Sequence, residues 1–342
     1  MAATLHDICS STGLSTATIS RVLNNSPLVK EETRKKVKAA MKDLNYFPLA
    51  SARALAGKRT GAIGVISPYV GSGFFTDLIV GVDHVAAERG VHVMMSFAHG
   101  LGDEVHLVSR FIQERGVDAI VLINLDIPGE FMADIKSDVI PLISVDTPVL
   151  EHGISSVSIG NRDGAHEMMS HLLGHGYRDI VLFAGPEISY DSKERIAGCR
   201  DAVAEAGLSL PDEKMHTGSF IMDSGRELMH QVLTSGEPLP EAVFALNDVT
   251  AFGAMAVLRE AGLRVPDDIA VVGFDNSAAS PLVGLTTVSV PLFDMGCRAA
   301  ELALDAVVDS VKQPQHLIIP TEIVVRDSCG CQPLCNRKNN TF

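Results

Sequence analysis

No run of this chain approaches the roughly 18–20 consecutive apolar residues that a membrane span needs, so a spanning helix does not organise it. Residues 1–30 lack the continuous apolar stretch of a secretory signal, and a cytoplasmic protein with no membrane partner is expected. The signatures of nucleotide and acyl chemistry are also missing. There is no Gly-x-Gly-x-x-Gly after a strand, no phosphate-cradling Walker loop and no Gly-x-Ser-x-Gly. An enzyme is therefore not expected, and no cofactor is called for. His171 and His175 stand one helical turn apart, but no His-Glu-x-x-His accompanies them, so they read as surface residues. Cys9, Cys199 and Cys297 are isolated and read as small core residues of a reduced protein. Cys329, Cys331 and Cys335 fall in a polar tail at a spacing unlike the usual zinc pairs. No metal is expected from either group.

What is present is unevenly distributed. The net charge is −14, which does not suit a nucleic-acid binder. Residues 1–60, however, hold 10 Lys/Arg against 4 Asp/Glu, a balance of +6, and the remainder holds 18 against 38, a balance of −20. Positive charge is thus concentrated where phosphate contacts would need it. The same segment carries turn chemistry. Thr4 with Asp7 makes a helix start of the capping-box type, Gly13 permits a tight turn, and Ser15 can cap a second helix. Ile8, Leu14, Ile19 and Val22 share an inner face, leaving Thr16, Ala17, Ser20 and Arg21 outside, as on a recognition helix. Residues 31–44 read as a third helix, with Val37, Met41 and Leu44 inside. Asn45-Tyr46-Phe47-Pro48 breaks it, and residues 50–58 form a short helix-prone stretch that is marginal alone.

From Thr60 onward apolar strands alternate with amphipathic helices in two runs of about a hundred residues each. Strands without polar alternation imply parallel sheets covered on both faces, hence two doubly wound lobes. Ligands of such folds bind at the carboxyl ends of strands and between domains. Those ends read Ser67-Pro68-Tyr69, Asn124, Asp146, Gly185-Pro186, Asn247-Asp248 and Asp275-Asn276. Each alone is an ordinary helix cap; six together point to a polar cleft.

Thr4–Asn24, Glu31–Arg34, Leu44-Asn45-Tyr46, Ala52–Ala56 and Gly61–Val65 together resemble the lactose/galactose repressor family (LacI/GalR). So do Asn247-Asp248 with Ala251, Gly253 and Ala254, and Val271–Asp275. The resemblance extends to about Ser328. It implies an α plus α/β chain: a three-helix helix-turn-helix domain (1–47), a hinge helix (48–60), and two lobes like those of periplasmic binding proteins. The N-lobe would take 61–160 and 292–321, the C-lobe 161–291 and 322–330, and 331–342 would be a tail. It implies a homodimeric regulator, a repressor reading pseudo-palindromic operator DNA, controlled by a small effector that we expect to be a sugar. Alternatives are a purine-type corepressor, or a protein partner on the N-lobe.

Carried over by residue, the resemblance places Thr16, Ala17 and Arg21 at major-groove bases, where the Arg21 fork suits guanine. Leu55 matches a minor-groove wedge. With Ser20, Asn24 and Arg53 these form the expected DNA-contacting set. In the sensor, Arg195 and Asp275 match an opposed effector-binding pair, Asp146 and Asn247 further cleft positions, and Phe74 and Phe220 aromatic walls. Tyr69 completes the expected effector set, while Phe75 reads as core. The chain departs from the pattern at Lys30, in place of a capping serine, at Phe47 and Leu49 of the hinge entry, and at Gly160, where Asp is common. The tail has no leucine heptad of the kind that makes tetramers.

Overall fold

The computed structural model describes residues 3–23, 26–46, 59–68, 75–99, 103–114, 116–123, 140–308 and 313–331. Among these residues no helix is long and apolar enough to cross a membrane. The chain divides into two compact units: residues 1–61 with 114–117, and the rest.

The first unit contains α1 (Leu5–Thr12), α2 (Thr16–Leu23) and α3 (Glu31–Asp43). Thr4 and Asp7 form the reciprocal capping box at the start of α1. Gly13, at φ 68°, turns the chain, and Ser15 Oγ accepts from the Thr18 amide at 3.3 Å. Ile8, Ile19, Val22 and Val37 are buried together, with Leu5, Leu14, Met41 and Leu44 packed around them. Lys30 precedes α3 without any side-chain cap.

The second unit holds two six-stranded sheets. The first contains β1 (Ala62–Pro68), β2 (His92–Ala98), β3 (Ala119–Ile123), β4 (Leu142–Val145), β5 (Ser155–Ile159) and β11 (His316–Ile319), in the order β11-β5-β4-β3-β1-β2, all parallel. The second contains β6 (Ile180–Ala184), β7 (Met215–Thr217), β8 (Ala242–Ala245), β9 (Ala270–Asp275), β10 (Thr286–Ser289) and β12 (Glu322–Val324), in the order β12-β10-β9-β8-β6-β7. There only β12 is antiparallel. Both orders reverse direction beside the first strand, the switch point at which doubly wound sheets open a crevice. The chain crosses between sheets after Ile159, after Ser289 and after Ile319.

Among the described residues, seven further helices cover the sheets: α4 (Thr76–Glu88), α5 (Asp103–Glu114), α6 (Asn161–Gly174), α7 (Tyr190–Glu205), α8 (Met222–Thr234), α9 (Asp248–Glu260) and α10 (Leu292–Val308). The period of two explains the all-apolar strands. Ile180, Leu182 and Ala184 enter one buried cluster, and Val181 and Phe183 enter the other. The sequence pattern had not suggested β5, β10, β11, β12 or α10. The Ser-Ser-Val-Ser-Ile of β5 looks polar, yet Ser156 and Ser158 are buried. In α10 the inner face is Met295, Gly296, Ala299, Ala300, Ala303 and Leu304, mostly too small to raise a hydrophobic signal.

The polar-tail expectation for Cys329 and Cys331 is corrected. A 3-10 turn, Asp327–Cys329, follows β12 and tucks Cys329 to complete burial, with Cys331 half-buried. The Ser328 amide donates to the Gly284 carbonyl and the Thr286 amide donates to the Ser328 hydroxyl, and these two bonds hold the turn. Cys335 lies outside the described residues.

Candidate functional site

The carboxyl ends of the strands from both sheets surround a cleft of about 740 Å³, a size suited to a small ligand. It contains Asp146 after β4, Pro186 after β6, Asn247 after β8, Asp275 at the end of β9 with Asn276 next to it, and Phe220 after β7. Four of the five non-glycine residues with positive φ among the described residues lie here: Asp146 (82°), Phe220 (58°), Asp275 (123°) and Asn276 (53°). Such strain persists where the surrounding fold holds it, and it gathers at ligand sites.

Arg195 is the hub. α7 begins at Tyr190, capped by the Ser189 hydroxyl, earlier than the apolar pattern alone indicated. That early start puts Asp191, Ser192 and Arg195 on the buried face of its first turns. Arg195 is 4% exposed. Its Nε donates to Asn161 Oδ1 at 2.7 Å, and its Nη1 donates to the Leu246 carbonyl at 2.6 Å and to Asp275 Oδ1 at 3.5 Å. Its guanidinium carbon lies 3.8 Å from the centre of the Phe274 ring, a cation–π contact. Asn161 in turn donates to Asp191 Oδ1 at 3.0 Å.

Among the described residues, one guanidinium therefore serves three buried carboxyl groups of the cleft, Asp146, Asp191 and Asp275, while Asp77 lines it from an exposed position. Burial pushes the Asp146 carboxyl well above the usual carboxylate range, and repulsion by Asp191 adds to this against the pull of Arg195. Burial likewise pushes Asp275 well up and outweighs the pull of Arg195, with repulsion by Asp248 and Asp191 adding to it. Asp146 follows β4 of the first sheet and Asp191 lies on α7, so the carboxyls that crowd the cleft come from both halves of the fold. Each of these carboxyls can donate one hydrogen bond while protonated and only accepts once ionised, so ionisation would leave the cleft short of donors.

Asn247 keeps its ordinary role and adds another. Its Oδ1 caps α9 by accepting from the Thr250 amide at 3.0 Å, and its Nδ2 donates to the Phe220 carbonyl at 3.0 Å. The Phe220 ring lies over Gly185, where any Cβ would meet it at 2.2 Å, so the wall and the bare backbone beneath it belong together. Behind the cleft Asp248 is fully buried and accepts from the Ser277 amide (2.8 Å), Thr287 Oγ1 (2.5 Å) and Ser280 Oγ. Those bonds shape the loop that carries Asp275 and Asn276. Burial still holds its carboxyl above the ordinary range.

Of the expected effector residues, the fold gathers Asp146, Arg195, Phe220, Asn247 and Asp275 around this cleft; Tyr69 and Phe74 lie outside the described residues. Phe75 packs on the core and also lines the cleft. Sequence reasoning missed Asn161 and Asp191, and named Asn276 among the polar strand ends without placing it in the effector set. The one-turn spacing of Asp191 and Arg195 was the available signal. In the first unit, Thr16, Ala17 and Arg21 are exposed on α2 and Ser20 is half-buried. Lys35, Lys36, Lys38 and Lys42 are exposed on α3. Asn24, Arg53 and Leu55 lie outside the described residues.

Comparison with known proteins agrees with this architecture. The family description "Bacterial regulatory proteins, lacI family" matches residues 4–48, and "Periplasmic binding protein-like domain" matches residues 169–329. The chain is 32% identical to the HTH-type transcriptional regulator DegA of Bacillus subtilis (strain 168), over 96% of this chain and 98% of that one. It is similar to the solved complex of the transcriptional regulator CelR with cellobiose (30% identity, TM-score 0.72, 95% and 99% of the two chains). It is also similar to the lac repressor dimer bound to operator and the anti-inducer ONPF (27% identity, TM-score 0.84, 96% and 99%). A helix-turn-helix head, two doubly wound sheets and a polar cleft between them in one chain make this protein a member of the LacI family of DNA-binding transcriptional regulators.

Proposed function

We propose that the protein is a homodimeric cytoplasmic repressor whose operator affinity is set by a neutral, hydroxyl-rich effector, a mono- or disaccharide. The carrying observation is the excess of buried carboxyls over cations around Arg195. Vicinal hydroxyls supply the missing donors, and Arg195 and Asn161 can meet their oxygens. An anionic ligand would face Asp146, Asp191 and Asp275 with one guanidinium to offset them. The Phe220 ring suits the apolar face of a sugar. The CelR complex holds cellobiose, a ligand of this class.

In this reading Asp146, Arg195, Phe220, Asn247 and Asp275, with Tyr69 and Phe74, form the effector site. Thr16, Ala17, Ser20 and Arg21, with Asn24, Arg53 and Leu55, contact DNA. The N-lobe comprises 61–160 and 292–321, and the C-lobe 161–291 and 322–330. Dimerisation is supported by β2, an edge strand exposing Met94, Met95 and Phe97. An effector that binds one lobe arrangement better than another changes operator affinity by their difference, typically about 1–3 kcal/mol.

The test is thermal unfolding of the full chain against sugars, sugar phosphates and nucleobases, followed by operator binding in the presence of the hits. A neutral sugar should stabilise by about 2.7 kcal/mol at a hundred times its Kd. Arg195→Met should abolish that gain. A hit confined to nucleobases or to sugar phosphates overturns the reading, the first in favour of a purine corepressor.

A further inference from the structure

We propose that His171, His175, Cys329 and Cys331 form a structural site for a zinc-type divalent cation. The four donor atoms come from segments about 160 residues apart and lie within 4.8 Å of one another. His171 is in the last turn of α6, and His175 is the residue that caps its end. One turn of separation puts both imidazoles on the same side. Their ring centres are 4.7 Å apart and edge to face.

The thiols reach them by a second device. Cys329 ends the 3-10 turn, and Gly330 follows at φ 85°. That left-handed residue doubles the chain back, so Cys331 returns to the same side as Cys329. A Cβ at Gly330 would also press on Tyr177 Oη at 3.0 Å. His171 Nε2 is 3.4 Å from Cys329 Sγ and 3.8 Å from Cys331 Sγ, and His175 Nε2 is 2.8 Å from Cys331 Sγ. Zinc bonds of about 2.0–2.1 Å to nitrogen and about 2.3 Å to sulfur make a tetrahedron with edges of roughly 3.3–3.8 Å. The first two separations already match those edges, and the third requires only a small opening.

The donor set selects the metal and its role. Two thiolates with two imidazoles at tetrahedral spacing suit zinc. Four protein ligands leave no open position, which is the structural rather than the catalytic arrangement. The surroundings support the ligands, as outer partners of metal sites do. Thr286 Oγ1 donates to Cys329 Sγ at 3.2 Å, and Tyr177 Oη donates to the Cys329 carbonyl at 3.2 Å. Binding as two thiolates and two neutral imidazoles releases two thiol protons to solvent.

The ion would strap the final segment of the chain to α6. That segment has just made its last crossing between the sheets, and β12 is a three-residue edge strand. At the other end of α6, Thr321 Oγ1 donates to the Gly160 carbonyl at 3.3 Å. The crossing would then be tied to both ends of one helix. Because a site assembled only by folding returns its binding energy as stability, chelation would loosen this segment first.

The test is elemental analysis of the full chain purified without chelator, with cobalt substitution as a second readout. About one zinc per chain is expected, with the intense visible bands of tetrahedral thiolate-bound cobalt. Cys329→Ser with Cys331→Ser should abolish both signals. Because that pair includes a buried residue, His175→Gln at an exposed position is the second variant; it should stay folded and lower zinc affinity at least about tenfold. Absence of stoichiometric metal together with a weak six-coordinate cobalt spectrum overturns the proposal. So does a Cys329–Cys331 disulfide in freshly purified, metal-free protein.

Discussion

At its first turn α6 places Asn161, 2% exposed, between Arg195 and Asp191 in the cleft. At its end, about 20 Å further on, the same helix turns His171 and His175 toward Cys329 and Cys331. The two ends obey different rules. The first is strained and crowds buried carboxyls around one guanidinium beside an open cleft, an arrangement that suits an exchangeable ligand. The second holds four soft or borderline donors that satisfy one another around a single point, with no position to spare. One end is arranged to gain and lose a partner, the other to keep one. A sensor whose lobes must change arrangement benefits from a fixed tie beside the moving part.

The comparison can be broken at its buried end. Asn161→Leu removes the partner of both the Arg195 Nε and the Asp191 carboxylate. Leaving buried charged groups short of a bond should cost about 3 kcal/mol of stability and abolish the effector response. Denaturant unfolding with and without ligand checks this. An unchanged midpoint would mean that water replaces the amide and that the network is not the hub.

A pH series sharpens the difference next. Asp146 and Asp275 are raised by burial, so the folded, unliganded protein holds more protons than the unfolded chain above the ordinary carboxylate range. Their contribution to stability is full below that range and is lost as pH rises through their folded values. Hydroxyl donors favour the ionised carboxyls, so effector affinity should rise across the same window, with proton release on binding. Calorimetry in two buffers of different ionisation enthalpy measures the protons; a flat affinity would show that neither carboxyl accepts from the ligand.

At the other end, His175→Gln should cost less than about 0.5 kcal/mol in chelator, because the residue is exposed. The variant should fall behind the parent only when zinc is present. Effector-induced stabilisation should be the same in both, which separates the two ends. The smallest effect belongs to Gly160→Asp, which restores the common family residue at the start of α6. Asp exceeds Gly as a cap by only a few tenths of a kcal/mol, and its Cβ would lie 3.8 Å from Asp163 Oδ2. Thermal unfolding should move by no more than that amount in either direction.

Much of the head and the strand–helix alternation was legible because their causes are local. A capping residue, a permissive glycine and an apolar period act within one or two turns, so α1, α2 and β3 (119–123) could be read directly. The strand ends announced a polar cleft, and family-matched positions supplied Arg195 and Asp275. What escaped was decided by neighbours. β5 is a strand because the sheet on either side completes its ladder, although three of its five residues are serine. Asn161 joins the cleft network because α6 begins where α7 presents Arg195. His171 and His175 looked like surface histidines, and Cys329 and Cys331 like a polar tail, since neither pair implies the other across about 160 residues.

The sequence by itself determined the parts: a basic three-helix reader, two doubly wound sheets, and polar groups at their carboxyl ends. These follow from periodicity, capping and charge, which are properties of adjacent residues. Only the tertiary structure decided which of those groups meet, that three carboxyls share one guanidinium, and that two imidazoles face two thiols. Burial, unmet donors and coordination geometry depend on distances through space, and chain order does not encode those until the sheets and helices are packed.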